Sequence, residues 1–137
     1  MNIQSLSVTG LAGNATKLWT ADSQNALVVL FGHAILINDA TVANRFLRLG
    51  LIDPDGNIVS ETHAGAAATA SQTVHYTLKP GIFREAAFIN GELEFPFAVG
   101  LLVPPGWSLE LYIDGGVAGD TFECHIAVNK KSLSSIQ

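Results

Sequence analysis

Apolar residues recur at every second position over several stretches of this chain, a period that fits strands and does not fit helices. From Trp107 to Ile113, the residues Trp107, Leu109, Leu111 and Ile113 fall on one face, and Ser108, Glu110 and Tyr112 on the other. Phe122, Cys124, Ile126 and Val128 alternate in the same way with Thr121, Glu123, His125 and Ala127. Val74, Tyr76 and Leu78 make a third inward set. Each is the pattern of a strand with one face on a core and the other in water.

Turn chemistry separates these stretches. Asp53-Pro54-Asp55-Gly56-Asn57 lies between Leu47-Leu49-Leu51 and Ile58-Val59. Its proline presets φ near about −65° and its glycine supplies a positive φ, so it reads as a tight turn. Asn90-Gly91 fits a two-residue type I′ hairpin. The glycine-rich segment Asp114 to Asp120 joins the last two strong strands, and Pro104-Pro105-Gly106 ends one segment and opens another. Pro96 cannot donate to a ladder, which puts Leu93 to Phe97 at a sheet edge or a bulge. Asp39 and Gly50 have the types of a helix cap and a helix stop. Even so, Arg45, Leu47, Leu49 and Leu51 alternate with Phe46, Arg48 and Gly50, so this segment reads as a strand from about Asn44. About eight to nine short strands, with turn signals roughly every 8–12 residues, predict an all-β, antiparallel two-sheet sandwich.

A chain of 137 residues has the length of one domain. Residues 1–14 read as an N-terminal arm and 15–137 as a single sandwich. The small-residue stretch Thr62 to Ser71 reads as a loop with no anchor of its own. Ala26 to Ile37 is different: Leu27, Val29, Phe31, Ile35 and Ile37 fall on one face, and Val28, Leu30, Ala34 and Leu36 on the opposite one. A strand apolar on both faces needs two covers. Val28, Leu30, Ala34 and Leu36 are therefore the expected self-association residues, and Ile3, Leu6, Val8 and Leu11 of the arm the expected contacts to a larger partner.

Composition excludes several classes. Only 14% of residues are charged, against about 25% in an average protein. A surface so short of charge suits burial against other subunits. The net charge is −5, and the seven basic residues are scattered apart from Lys130-Lys131. Neither nucleic acid nor an acidic membrane is an expected partner. The start of the chain lacks a basic segment followed by an apolar one, so cytoplasmic synthesis without a signal peptide is expected. The single cysteine, Cys124, forms no intrachain disulfide and sits on an inward face.

Residue patterns that carry chemistry are few. His33, His63, His75 and His125 show no short ligand spacing, although His75 and His125 fall on outward strand faces able to meet across a sheet. Asp53 and Asp55 lack the remaining ligands of a calcium loop, and turn chemistry accounts for Asp114 and Asp120. Glu92 and Glu94 read as a solvated strand face. No nucleophile elbow or phosphate-binding loop occurs. The expectation is no catalytic residue, no metal and no cofactor.

Ala43-Asn44-Arg45-Phe46-Leu47-Arg48-Leu49, followed by Asp53-Pro54-Asp55-Gly56, resembles small virion proteins of tailed bacteriophages. Val103-Pro104-Pro105-Gly106-Trp107-Ser108-Leu109, followed by Gly119-Asp120-Thr121-Phe122, is similar to viral jelly-roll sequences, in which a Pro-Gly step opens one strand and a Gly-Asp step the next. The resemblance spans about Ala26 to Lys130 and rests on turn and strand signals. It implies a jelly-roll-like, non-enzymatic structural protein of the virion. In its most specific form this is a capsid decoration or cement protein, a homotrimer bound to the major capsid protein on the capsid surface. The alternative is a carbohydrate- or receptor-binding module of a phage tail or fibre, with Trp19, Tyr112 and Phe83 as candidate stacking residues. A sugar-active enzyme ranks last, because no acid, base or metal constellation emerges.

Overall fold

The computed structural model describes residues 2–132 and turns the alternating stretches into ten strands. These are β1 (Ile3–Ala12), β2 (Thr16–Thr20), β3 (Asn25–Ile37), β4 (Phe46–Ile52), β5 (Ile58–His63), β6 (Thr73–Pro80), β7 (Glu92–Phe97), β8 (Leu102–Val103), β9 (Ser108–Asp114) and β10 (Thr121–Ser132). No helix occurs among the described residues. One sheet has six strands, ordered β1-β10-β3-β6-β7 with β8 also paired to β3, and the other has four, ordered β2-β9-β4-β5.

The pairing is nested. β1 meets β10, β2 meets β9, β3 meets β6, and β4 meets β5, all antiparallel. That is one long hairpin. Rolling it until β10 also meets β3, and β9 also meets β4, makes the two sheets of a jelly roll. β7 is the exception, an edge strand running parallel to β6. It carries Pro96, as the missing donor requires.

The inward sets predicted from alternation close the core. Val74, Tyr76 and Leu78 of β6 are buried, as are Leu109 and Leu111 of β9 and Phe122, Cys124, Ile126 and Val128 of β10. Burial pushes the Cys124 thiol up to about 12, which leaves it an inert core residue. The turns are equally faithful. Asn90 and Gly91 both have positive φ (53° and 74°), and Ile89 and Glu92 exchange both backbone hydrogen bonds, as a type I′ hairpin demands. In the Asp53 turn, the carboxylate accepts from the backbone N–H of Asp55 and of Asn57.

Two expectations are corrected. Residues 3–12 are no free arm but the strand β1, paired with β10 from Ile3 opposite Asn129 to Ala12 opposite Thr121. Leu6, Val8 and Leu11 pack against the core, and only Ile3, 48% exposed, remains outside. Serines and threonines between these apolar residues hid a period of two. Thr62 to Ser71 is likewise anchored, and its first two residues end β5. Ala64 and Ala68 are fully buried, Ala68 exchanges backbone hydrogen bonds with Arg45, and Asn38 donates to the carbonyl of Thr69. Small side chains here mean close packing rather than looseness. Met1 and residues 133–137, the ends of the expected arm and domain, lie outside the described residues.

One end of the sandwich is fastened by a buried ion pair. Arg45 and Asp120 are both 0% exposed. The Arg45 guanidinium donates to both Asp120 oxygens (2.9 and 3.0 Å), to Asp39 and to the carbonyl of Ala43. Asp120 also accepts from the backbone N–H of Asp39 and of Val117. Burial by itself raises a carboxyl, but the Arg45 hydrogen bonds and the two backbone donors outweigh it and hold Asp120 below its ordinary value.

Removing one partner of such a pair costs about 3–5 kcal/mol. Arg45→Met is therefore expected to lower the urea midpoint sharply, while Arg45→Met combined with Asp120→Leu recovers much of the loss. Because the folded carboxyl lies below its free value, its contribution is complete above about pH 4 and is lost as pH falls through the folded value. Asp120→Asn should thus lose its deficit relative to the parent as unfolding is measured at successively lower pH. Tyr76 gives an opposite case: its hydroxyl is buried without a hydrogen-bond partner among the described residues. An unpaired buried hydroxyl costs about 1–3 kcal/mol, so Tyr76→Phe is expected to raise the thermal midpoint, read by calorimetry.

Candidate functional site on the outer face of the six-stranded sheet

The site depends on one extra residue in β3. Phe31 stands opposite Ala127 of β10, but the next residue, Val128, stands opposite Val29. Leu30 is the bulge. It reverses which parity points inward. Leu27 and Val29 face the core before the bulge, and Ala34 and Leu36 face it after, at 2% and 1% exposure. Gly32 also faces in, where a Cβ would crowd the backbone of His125 and Ile126.

The expected self-association set therefore divides. Ala34 and Leu36 are core residues, and no outer surface can use them. Val28 is half-buried beside Leu102 of β8, and Leu30 is half-buried at the bulge. Phe31, His33, Ile35 and Ile37 take the outward positions instead. Simple alternation runs unbroken through Gly32, although an isolated glycine within a strand pattern signals a bulge. That glycine was the available clue.

The registers set these side chains in rows across the sheet. Ser5, Ala127 and Phe31 align, as do Ser7, His125, His33 and Thr77. Glu123, Ile35, His75 and Glu92 form the next row, then Thr121, Ile37 and Thr73. Phe31 is 60% exposed and Ile37 50%. A shallow depression of about 270 Å³ opens between Ser5, Phe31, His33, His125 and Ala127. The histidines are linked. His33 Nε2 lies 3.1 Å from His75 Nδ1, and His125 contacts Ser7 Oγ and Glu123. The outward placement of His75 and His125 is as predicted. What links to His75, however, is His33, which sequence reasoning left unassigned to any face.

The outer face of the four-stranded sheet is chemically opposite. Its central strands carry Arg48, which donates to Asp114 (2.8 Å) and Glu61 (2.9 Å), and Tyr112, which donates to Glu61. Glu110 and Glu61 flank Gly50, their common cross-strand partner. Burial first, and then the charge of Glu61, raise the Glu110 carboxyl above its ordinary value. Exposed apolar residues on this sheet, Leu18, Ile58 and Val59, belong to its edge strands.

The candidate sugar-stacking residues do not converge. Trp19 packs against the core, whereas Tyr112 points to the outer face of the same sheet. Phe83, 78% exposed, sits beside the 97%-exposed Ile82 on the connection between β6 and β7. No group of three or more ligand-type side chains able to hold a metal ion occurs among the described residues. Glu94 pairs with Lys79 (2.8 Å) rather than with Glu92.

No protein-family model matches the chain, and no curated protein matches its sequence.

Because the raised Glu110 disfavours its own ionised form in the fold, it costs stability wherever it is charged. Glu110→Gln is expected to raise the thermal midpoint slightly at pH 7. The gain disappears below about pH 4, where a free glutamate is itself protonated. Melting curves at the two pH values check this.

Proposed function

We propose that this chain is a non-enzymatic structural module that self-associates through the outer face of its six-stranded sheet. The observation that carries this reading is the outward apolar set on β3, a strand in the middle of the sheet: Phe31 and Ile37 are exposed and Ile35 is half-buried between them. A central strand normally shows water a polar face when nothing covers it. Among the described residues no loop of the chain covers this one. The cover comes from another copy.

The phage resemblance gives the module a setting. In it, the chain is a virion protein, a homotrimer that decorates the capsid by binding the major capsid protein. The number three and the capsid partner rest on that resemblance. Self-association itself rests on the exposed row. With β1 built into the sheet, the surface left for the larger partner is the loop carrying Ile82 and Phe83. Three such loops on one trimer act together, so individually weak contacts hold at high effective concentration.

Sedimentation velocity tests the first step. The parent chain is expected to run as a trimer. Phe31→Lys is expected to run as a monomer with an unchanged circular dichroism spectrum, because an aromatic at the centre of an interface contributes about 2 kcal/mol or more. A monomeric parent at high concentration overturns the reading. Cosedimentation with shells of the major capsid protein tests the second step, and Phe83→Ser should abolish it while leaving the trimer intact.

A further inference from the structure

On the same face, the distance between two imidazole nitrogens matters beyond packing. His33 Nε2 and His75 Nδ1 are 3.1 Å apart, with ring centroids 5.3 Å apart and planes inclined at 42°. Nitrogens this close share either a proton or a positive ion. Zinc–imidazole bonds of about 2.0–2.1 Å with tetrahedral angles place two ligand nitrogens roughly 3.3–3.4 Å apart. The pair is within a few tenths of an ångström of that spacing. The backbone holds it there: His75 is opposite Ile35, two residues from His33 on β3, so both rings rise from the same side of adjacent strands.

We propose that His33 and His75 are two ligands of a transition-metal site of the zinc class, completed by ligand-type side chains of a second copy. Imidazole favours zinc, copper and nickel over magnesium or calcium. His33 is exposed and His75 half-buried, so an ion reaches both without opening the fold. Among the described residues one chain brings no third ligand to the pair, and this makes it half a site. The neighbouring positions hold the types of side chain that a second copy would present: His125 directly opposite His33, and Glu123 one row on. Completion by a second copy rests on the self-association reading. The two-histidine half-site does not.

Titration with zinc ion alone, followed by calorimetry and by sedimentation, tests both parts. The parent is expected to bind zinc and to associate more tightly with it than in EDTA. Loss of even an outer-shell partner of a metal costs about 10–100-fold in affinity, so His33→Ala and His75→Ala should each weaken binding at least that much. His63→Ala, whose ring contacts Arg84 instead, should bind as the parent does. The visible spectrum of the cobalt(II) form should change in the two variants and not in the control. Zinc binding that is absent from the parent, or untouched by both variants, overturns the site. Binding that depends on the pair but leaves association unchanged keeps the half-site and overturns its completion by a second copy. Association in EDTA without zinc binding keeps the self-association reading and removes the metal.

Discussion

The guanidinium of Arg45 and the carboxylate of Asp120 are both withdrawn completely from water, and four separate connections of the chain meet at these two residues, through their charged groups or their backbone. The turn between β1 and β2 arrives through Gly13, whose N–H donates to the Asp120 carbonyl. The β3–β4 connection brings Asp39, the segment after β5 brings Ala68, and the β9–β10 loop brings Val117 and Asp120 itself. Glycine makes the approach possible: a Cβ at Gly13 would collide with Asp120, and one at Gly116 with the Gly13 carbonyl. A jelly roll is one hairpin rolled up, so its loops gather at two ends. Apolar burial packs the faces of the sheets together but says little about how loops meet. Here a buried charge pair specifies it, because a charge without its partner would be too costly to bury.

The sandwich presents two outer faces that differ in kind. On the four-stranded sheet, Arg48 of a central strand pairs with Asp114 and with Glu61 of the edge strand, and Tyr112 donates to Glu61. That face is a polar, charged one. On the six-stranded sheet, β3 shows water Phe31 and Ile37, with Ile35 half-buried between Glu123 and His75. The two faces thus differ in the apolar residues on their central strands, and that asymmetry singles out one surface.

Sequence reasoning reached the sandwich because strand alternation and turn chemistry are local signals, and the inward sets of β6, β9 and β10 and the type I′ turn at Asn90-Gly91 needed nothing more. It missed what depends on distant partners. Serines interleaved with Leu6 and Val8 made β1 look like an arm, because a polar edge strand is recognisable only beside the strand it pairs with. Arg45 stood in the inward stripe of Leu47 and Leu49, and an arginine there implies a buried carboxylate. Which carboxylate, 75 residues away in sequence, is a matter of topology. The site was half legible. The doubly apolar character of Ala26 to Ile37 located the strand, but its faces exchange beyond Leu30.

That exchange has a physical consequence beyond bookkeeping of faces. Without the extra residue at Leu30, either half of β3 would point the wrong way. Phe31, Ile35 and Ile37 would turn into a core that holds Ala34, Leu36 and Gly32 in their place, and His33 would turn in with them. Strand register has a period of two, so no intermediate arrangement exists. Core packing, the apolar row and the spacing of His33 and His75 are therefore set together by one bulge. The same buried contacts that fix Leu27 and Val29 on one side of Leu30, and Ala34 and Leu36 on the other, hold the outer face in its single arrangement. The stability of the core is what gives this surface a defined shape before any partner arrives.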